Sequence, residues 1–168
     1  MTLKDYNPFT QLELRLPDAY RDEVTKYSRT FADTGSSSKA EDSPFERYVD
    51  LWMASICVAV AEGREVVVPT ATKTWRFEYG SRLQGQTAWI DLLQLLAITH
   101  FQDPLVVADA RKVIDLANVF AATGLPVVLQ MLTDGHDRPL WNLSMRMMEL
   151  ILTVLPDPDD SYETEPPI

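Results

Sequence analysis

Leucines occupy every second position over residues 11–16 and are separated by charged side chains. This period of two predicts a half-buried β-strand. Pro17 ends the pattern, and Asp18 is placed to cap a helix that runs to about Arg29. Tyr20, Val24 and Tyr27 would share one face of that helix. Residues 1–29 are therefore predicted to form an N-terminal strand and helix.

Residues 30–43 have no apolar period and centre on a Gly-Ser-Ser-Ser run, a composition typical of a mobile linker. Ser43 and Pro44 then give a helix-start signal, a capping hydroxyl followed by a proline at the first helical position. This helix is predicted to run to Glu62, with Gly63 as its left-handed stop. Its second half is apolar nearly all round, which is typical of a helix in the middle of a bundle or in an oligomer interface.

Two short strands are predicted at 66–68 and 74–79, so that residues 66–79 form a β-hairpin. In the second strand Trp75, Phe77 and Tyr79 would lie on one face and charged residues on the other. A lone hairpin is marginally stable in water, so it should pack on the helices or pair with residues 11–16.

The helical period returns at Thr87 and predicts four further helices. They run from Thr87 to about Phe101, from Asp103 to Gly124, over a short segment from Pro126, and from Pro139 to Val154. The fold class is thus α+β and predominantly α, with about six helices around the central apolar helix of residues 44–62 and a small β-hairpin or sheet. Residues 44–155 would form the helical core domain, and residues 156–168 a disordered acidic tail.

Charge and composition narrow the function classes. The 168 residues include 15 basic and 25 acidic side chains, which gives a net charge of -10. An acidic chain is a poor non-specific ligand for nucleic acid, because such binding depends on Lys and Arg displacing counterions from phosphates. The single cysteine, Cys57, excludes a disulfide framework, and its apolar surroundings predict a buried, unreactive thiol. With no signal-peptide pattern and no long uncharged apolar run, the predicted location is cytoplasmic.

Catalytic and metal-binding patterns are scarce. The two histidines, His100 and His136, lack the HExxH and CxxC contexts of zinc sites, and no nucleophile elbow or phosphate-binding glycine motif occurs. His100 is expected at a helix end on the surface. The run from Asp134 to Asp137 mixes a turn glycine with oxygen and nitrogen ligands, and a turn is favoured over a site. We therefore expect a protein that is not an enzyme and that needs no cofactor or metal.

Two features stand out as candidates for interaction. The first is the aromatic strand face with the basic residues near it, which comprises Trp75, Phe77, Tyr79, Arg64, Lys73, Arg76 and Arg82. Bases or another chain could stack on such a face. The aromatic residues could also form the inner face of a hairpin that covers the helices, and this second interpretation is favoured. The second is a set of apolar helix positions that would form core or interface, Trp52, Ile56, Val60, Met147 and Leu150, together with the adaptable methionines Met145 and Met148.

Three stretches of the chain resemble, in order, parts of one protein family. They are the helix from Ser43 that ends in Gly63-Arg64, the aromatic strand from Trp75 to Tyr79, and the helix from Asp109 to Gly124 with its Ala-Asn-Val-Phe-Ala run. The family comprises small accessory proteins encoded beside DNA phosphorothioation (Dnd-type) modification and restriction genes. The resemblance covers about residues 44–132. It implies a bacterial accessory protein in DNA modification or phage defence, and it supplies no catalytic residues.

The predicted function is a non-enzymatic interaction or adaptor protein in a prokaryotic DNA-modification or phage-defence complex. Its partners would be proteins, including further copies of itself, and no membrane is involved. Two alternatives stay open: direct nucleic-acid binding through the basic and aromatic hairpin face, and inhibition of a DNA-binding enzyme by acidic DNA mimicry. A hydrolase built on Asp134, His136 and Asp137 has the least support.

Overall fold

Helices dominate the computed structural model, which describes residues 6–29, 39–66, 73–135 and 137–155. Within these ranges the chain forms five α-helices and a two-stranded antiparallel sheet. In chain order the elements are β1 (Glu13–Pro17), α1 (Arg21–Tyr27), α2 (Tyr48–Ala61), β2 (Thr74–Tyr79), α3 (Thr87–Phe101), α4 (Ala110–Thr133) and α5 (Pro139–Val154). Short 3-10 turns precede α1, follow β2 and precede α4. The predicted class, α+β and predominantly α, is confirmed.

The sheet joins the N-terminal part of the chain to the middle. β1 pairs with β2 antiparallel, from Glu13 opposite Tyr79 to Pro17 opposite Thr74. The sequence left two possibilities for the aromatic strand, packing on the helices or pairing with residues 11–16, and the sheet shows that it pairs with this segment. The other strand of the predicted hairpin was residues 66–68. Val66 is not in a strand, and residues 67 and 68 lie outside the described residues. Most of the predicted linker, residues 30–38, and the acidic tail, residues 156–168, also lie outside them.

The central helix begins four residues later than its sequence signal. The Ser43 hydroxyl does not cap it but donates to the Lys26 carbonyl at 2.8 Å, and Phe45 forms a parallel bridge with Ser28. Residues 43–45 are thereby held against the end of α1. The helix starts after Arg47, whose backbone N–H donates to the Asp50 carboxylate at 2.9 Å.

The hydrophobic core is centred on α2 and α4, which make the most extensive contact between any two elements. Gly124 of α4 lies against the backbone of α2, and a Cβ at this position would sit 1.9 Å from the Ser55 carbonyl oxygen. Small residues at the crossing let the two helix backbones approach closely. The core therefore surrounds a pair of helices rather than α2 alone.

One predicted helix break is wrong. Gly124 and Pro126 suggested two helices, but α4 continues through both residues for 24 residues, so five helices replace the expected six. Buried apolar side chains lie on both sides of Pro126, among them Leu125 and Val128, and a break would expose them. α4 is long and apolar enough to cross a membrane, yet 56% of its apolar window is buried, the pattern of a core helix.

Candidate protein-interaction surface

The aromatic strand does not present a stacking face to solvent. Trp75 and Phe77 are half-buried, and both pack edge-on against Tyr48 of α2, with ring centroids 5.7 and 6.2 Å apart. The sheet register shifts between Leu14 and Arg15, which breaks the alternation along β2. Tyr79 is thereby exposed, and its ring lies under the Arg76 guanidinium at 4.6 Å. The three aromatic residues thus lie on two faces of the strand.

The four basic residues around this strand each have an acidic partner. Arg64 pairs with Glu62 at 2.5 Å, Lys73 with Asp18 at 3.5 Å, Arg76 with Glu13 at 3.4 Å, and Arg82 with Glu78 at 2.9 Å. Hydrogen bonding from Arg15, opposed in part by desolvation and reinforced by Arg76, lowers the pKa of Glu13. Because each of these four basic residues lies beside a carboxylate, the positive charge of the group is balanced locally and its attraction for phosphates is weakened.

The polar groups of the turn between α4 and α5 hold the turn in place rather than form a reactive site. Asn142 is buried, and its amide donates to the carbonyls of Leu132 and Asp137 at 3.2 and 2.9 Å. Its oxygen accepts from the Asp137 N–H at 3.3 Å, and it leaves no room for a Cβ on Gly135, which would lie 2.3 Å away. Asp134 pairs with Arg146 at 2.5 Å, and His136 lies outside the described residues.

The other reactive groups lie apart from one another. His100 is exposed near the end of α3, with its ring edge-on to Phe101. Cys57 is exposed on α2, so the prediction of a buried thiol is wrong, although partial burial still raises the pKa of the thiol. Val60, expected in core or interface, is 47% exposed one turn further on. Both residues are exposed to solvent on α2. Among the described residues, no group of His, Cys, Asp and Glu side chains is arranged to hold a metal ion.

The predicted core positions divide according to the helix that carries them. Trp52 and Ile56 of α2 are fully buried, and the Trp52 indole N–H donates to the Asn118 side chain of α4 at 3.2 Å. Met147 and Leu150 of α5 are partly buried against the core. These two residues lie on the inner face of α5, which packs on α4.

A second apolar face runs along the outside of α5. Four of its residues and Leu155, which directly follows the helix, are spaced four, three, four and three positions apart: Trp141, Met145, Met148, Leu152 and Leu155. At 3.6 residues per turn they lie within about 80° of one another around the helix axis. We call them the α5 stripe. Each is between 55% and 68% exposed, and Ile151, at the edge of the stripe, is 56% exposed.

The α5 stripe is large for an exposed apolar surface. Together with Ile151 it leaves on the order of 700 Å² of apolar side chain in contact with water, above the roughly 300–600 Å² of the largest patch on a typical monomer. The few charges on α5 do not interrupt it. Arg146 and Glu149 are the charged residues of the helix, and they pair with each other at 2.8 Å. Contiguous apolar surfaces of this size mark interaction sites.

The apolar residues of this stripe are visible in the sequence, but the pattern of the last helix was interpreted as a face packed in the core. The sequence pattern marked Met145 and Met148 as adaptable methionines. The apolar positions that it assigned to the core, Met147 and Leu150, belong to the inner face of the last helix. A helix with apolar residues on two opposite faces and a single Arg-Glu pair has too few polar positions for an ordinary surface helix. Trp141, Leu152 and Leu155 were missed for that reason.

A groove beside the inner face of α5 does not suggest a ligand site. It has a volume of about 380 Å³ and lies between α2, α4 and α5. Its charged lining, Arg64 with Glu62 and Arg146 with Asp134 and Glu149, is already ion-paired. Mixed and satisfied charges give no preference for an anion or a cation. The α5 stripe is therefore the feature of the described residues that most needs a partner.

Comparison of the chain with protein-family models, curated proteins and solved structures finds no match.

Proposed function

We propose that this chain is a non-enzymatic interaction protein that binds another protein chain through the α5 stripe. The observation that carries the proposal is the exposure of regularly spaced apolar side chains, four along one face of α5 and a fifth at Leu155 directly after it. Protein–protein interfaces concentrate aromatic residues and methionine at their centres, and the stripe contains one tryptophan and two methionines. Its spacing is that of a helix docked along another helix or in a groove.

The turn that holds α5 supports this role. Asn142 fixes the first turn of the helix, and the Arg138 guanidinium pairs with Glu41 while the Leu140 N–H donates to the Glu41 carbonyl at 3.1 Å. The inner face then packs on α4 through Leu143, which is buried. A helix fixed in this way presents its outer face without further ordering, which lowers the entropic cost of binding.

The competing functions receive less support. Direct nucleic-acid binding would need basic side chains that are free to reach phosphates, and Arg64, Lys73, Arg76 and Arg82 each have an acidic neighbour. The setting in prokaryotic DNA modification or phage defence, and the cytoplasmic location, remain proposals from the sequence. Binding through an apolar stripe is compatible with an adaptor in such a complex.

The test replaces one residue of the stripe with a charge and compares a matched change elsewhere. Leu152→Glu alters a residue that is 68% exposed in the stripe, and Leu95→Glu makes the same change at a residue that is 60% exposed on α3. Both variants should fold, because neither side chain is buried. We expect Leu152→Glu to lose the proteins that co-purify with the wild type, as identified by mass spectrometry, and Leu95→Glu to keep them.

The same experiment includes a second copy of the chain with a different tag, so that co-purification of the two copies measures self-association. Equal recovery of every associated chain with wild type and with Leu152→Glu would show that the stripe is not the binding surface. Circular dichroism and thermal unfolding of each variant check that a lost interaction does not come from a lost fold.

A further inference from the structure

The α5 stripe has a geometry that suits a particular partner. We infer that it binds the α5 stripe of a second copy of this chain, with the two helices antiparallel. The inference rests on the proposed function and names the occupant of the same surface.

The spacing of the stripe is self-complementary. Alternate steps of four and three residues are the heptad spacing by which two helices interlock side chains along a shared seam. In an antiparallel pair Trp141 of one copy would lie opposite Leu152 of the other, and Met145 opposite Met148. The four, three, four spacing from Trp141 to Leu152 is the same in both directions, so these four residues pair with one another and the flexible methionines fill the middle of the seam, while Leu155 lies beyond the paired layers.

The exposed area is what one partner contributes to a stable dimer. The stripe and Ile151 leave on the order of 700 Å² exposed, and a standard interface takes roughly 600–1,000 Å² from each partner. A contact that covers most of this surface would therefore bury about as much as the smaller standard interfaces. Symmetric dimers with one shared patch are also the commonest protein oligomers.

Charge favours a second copy over a partner recognised electrostatically. The α5 helix has one basic and one acidic side chain, Arg146 and Glu149, which neutralise each other, and Arg146 also contacts Asp134. A strongly basic or acidic partner would find no free opposite charge along the stripe. Two copies of a chain of net charge -10 can approach there, because the helix itself is neutral.

The residues that follow α5 decide the orientation. The last thirteen residues begin at position 156 and contain five acids and no base. In a parallel pair, both of these segments would start about 10 Å apart, the distance between packed helices. In an antiparallel pair they would start about 24 Å apart, the length of a 16-residue helix, which is well beyond the Debye length of about 8 Å at physiological salt. The antiparallel arrangement therefore lowers the repulsion where these segments begin.

The mass of the full-length chain in solution tests the inference. Size-exclusion chromatography with light scattering should give twice the 19.1 kDa chain mass for the wild type and for Leu95→Glu. Leu152→Glu should give the mass of one chain, with a dissociation constant at least about tenfold higher. A dimer that Leu152→Glu leaves intact overturns the inference, because its interface would lie elsewhere.

A second measurement tests the orientation in a background in which Cys57, the exposed native thiol, is replaced by serine. Chains with Trp141→Cys and differently tagged chains with Leu152→Cys are mixed and oxidised. The antiparallel pair predicts mixed disulfides between the two kinds of chain, because only opposed positions come within the roughly 7 Å that a disulfide requires. Disulfides between like chains alone would overturn the antiparallel arrangement.

The outcomes separate this inference from the proposed function. A wild-type monomer that still loses an identified partner on Leu152→Glu overturns the self-association and leaves the interaction function in place. A monomer that loses no partner overturns both. A third outcome is a wild-type monomer in which deletion of residues 156–168 raises the binding of an apolar dye. This result would show that the chain's own tail covers the stripe, and it too overturns the inference.

Discussion

Gly124 shows how a single missing side chain allows the core to form. Its Cα lies so close to α2 that a Cβ would sit 1.9 Å from the Ser55 carbonyl oxygen and 3.2 Å from the Ala59 Cβ. Gly124→Ala would normally stabilise a helix by about 1 kcal/mol. Here the clash with backbone forces α2 and α4 apart, so we expect a net loss of about 1–3 kcal/mol in the free energy of unfolding, measured by urea denaturation.

Gly63→Ala provides the comparison for this prediction. Gly63 has a φ of 59°, and a Cβ there would meet nothing within 4 Å. Its substitution should cost about 1 kcal/mol from backbone strain alone. If Gly124→Ala matches or exceeds the wild type in stability, the two helices do not cross as closely as described.

The aromatic strand shows what residue patterns can and cannot predict. Alternation placed Trp75, Phe77 and Tyr79 on one face, and the marginal stability of a lone hairpin left packing on the helices or pairing with residues 11–16 as alternatives, of which the pairing is observed. It could not reveal the irregular register between Leu14 and Arg15, because a bulge depends on how two distant segments meet. Nor could it show that Arg76 would pair with Glu13, which is 63 residues away. Local patterns predict strands well, while their faces depend on tertiary contacts.

At the level of elements, α4 tolerates a proline in its interior. Pro126 lacks the N–H that would bond the carbonyl four residues earlier, yet the helix continues to Thr133. The cost is offset by the apolar residues that the continuous helix buries against α2. Pro126→Ala should restore the missing hydrogen bond and raise the free energy of unfolding by about 1–3 kcal/mol, as determined by chemical denaturation.

Pro139→Ala is the matched control, because Pro139 lies in the first turn of α5 where its N–H is not needed. That variant should show no comparable gain. A loss of stability on Pro126→Ala would mean that α4 uses the shape imposed by the proline to pack against its neighbours.

The two faces of α5 explain why its functional side was harder to predict than its existence. The start at Pro139 and the apolar period to Val154 were both readable in the sequence, and the helix is present with those bounds. Which apolar face is buried depends on where α4 lies, and that information is not local. Met147 and Leu150 turn inward, while Met145 and Met148 remain exposed.

For the whole molecule, charge opposes association while apolar surface promotes it. Each copy has a net charge of -10, of which the five acids after residue 155 account for half. Two such chains repel each other at long range, and salt screens this repulsion more strongly than it affects contact between apolar side chains. The dimer proposed above therefore has a salt response opposite to that of a complex held by ion pairs.

Raising NaCl from about 50 mM to about 500 mM should tighten self-association several-fold, because the Debye length falls from roughly 14 Å to about 4 Å. Deletion of residues 156–168 removes half of the net charge, so the shortened chain should dimerise more tightly at low salt and respond less to added salt. Sedimentation equilibrium of both chains provides the dissociation constants, with Leu152→Glu as a variant that stays monomeric at every salt concentration. Association that weakens as salt rises would show that opposite charges hold the copies together. The contact would then lie away from α5, since the charged residues of that helix already neutralise each other.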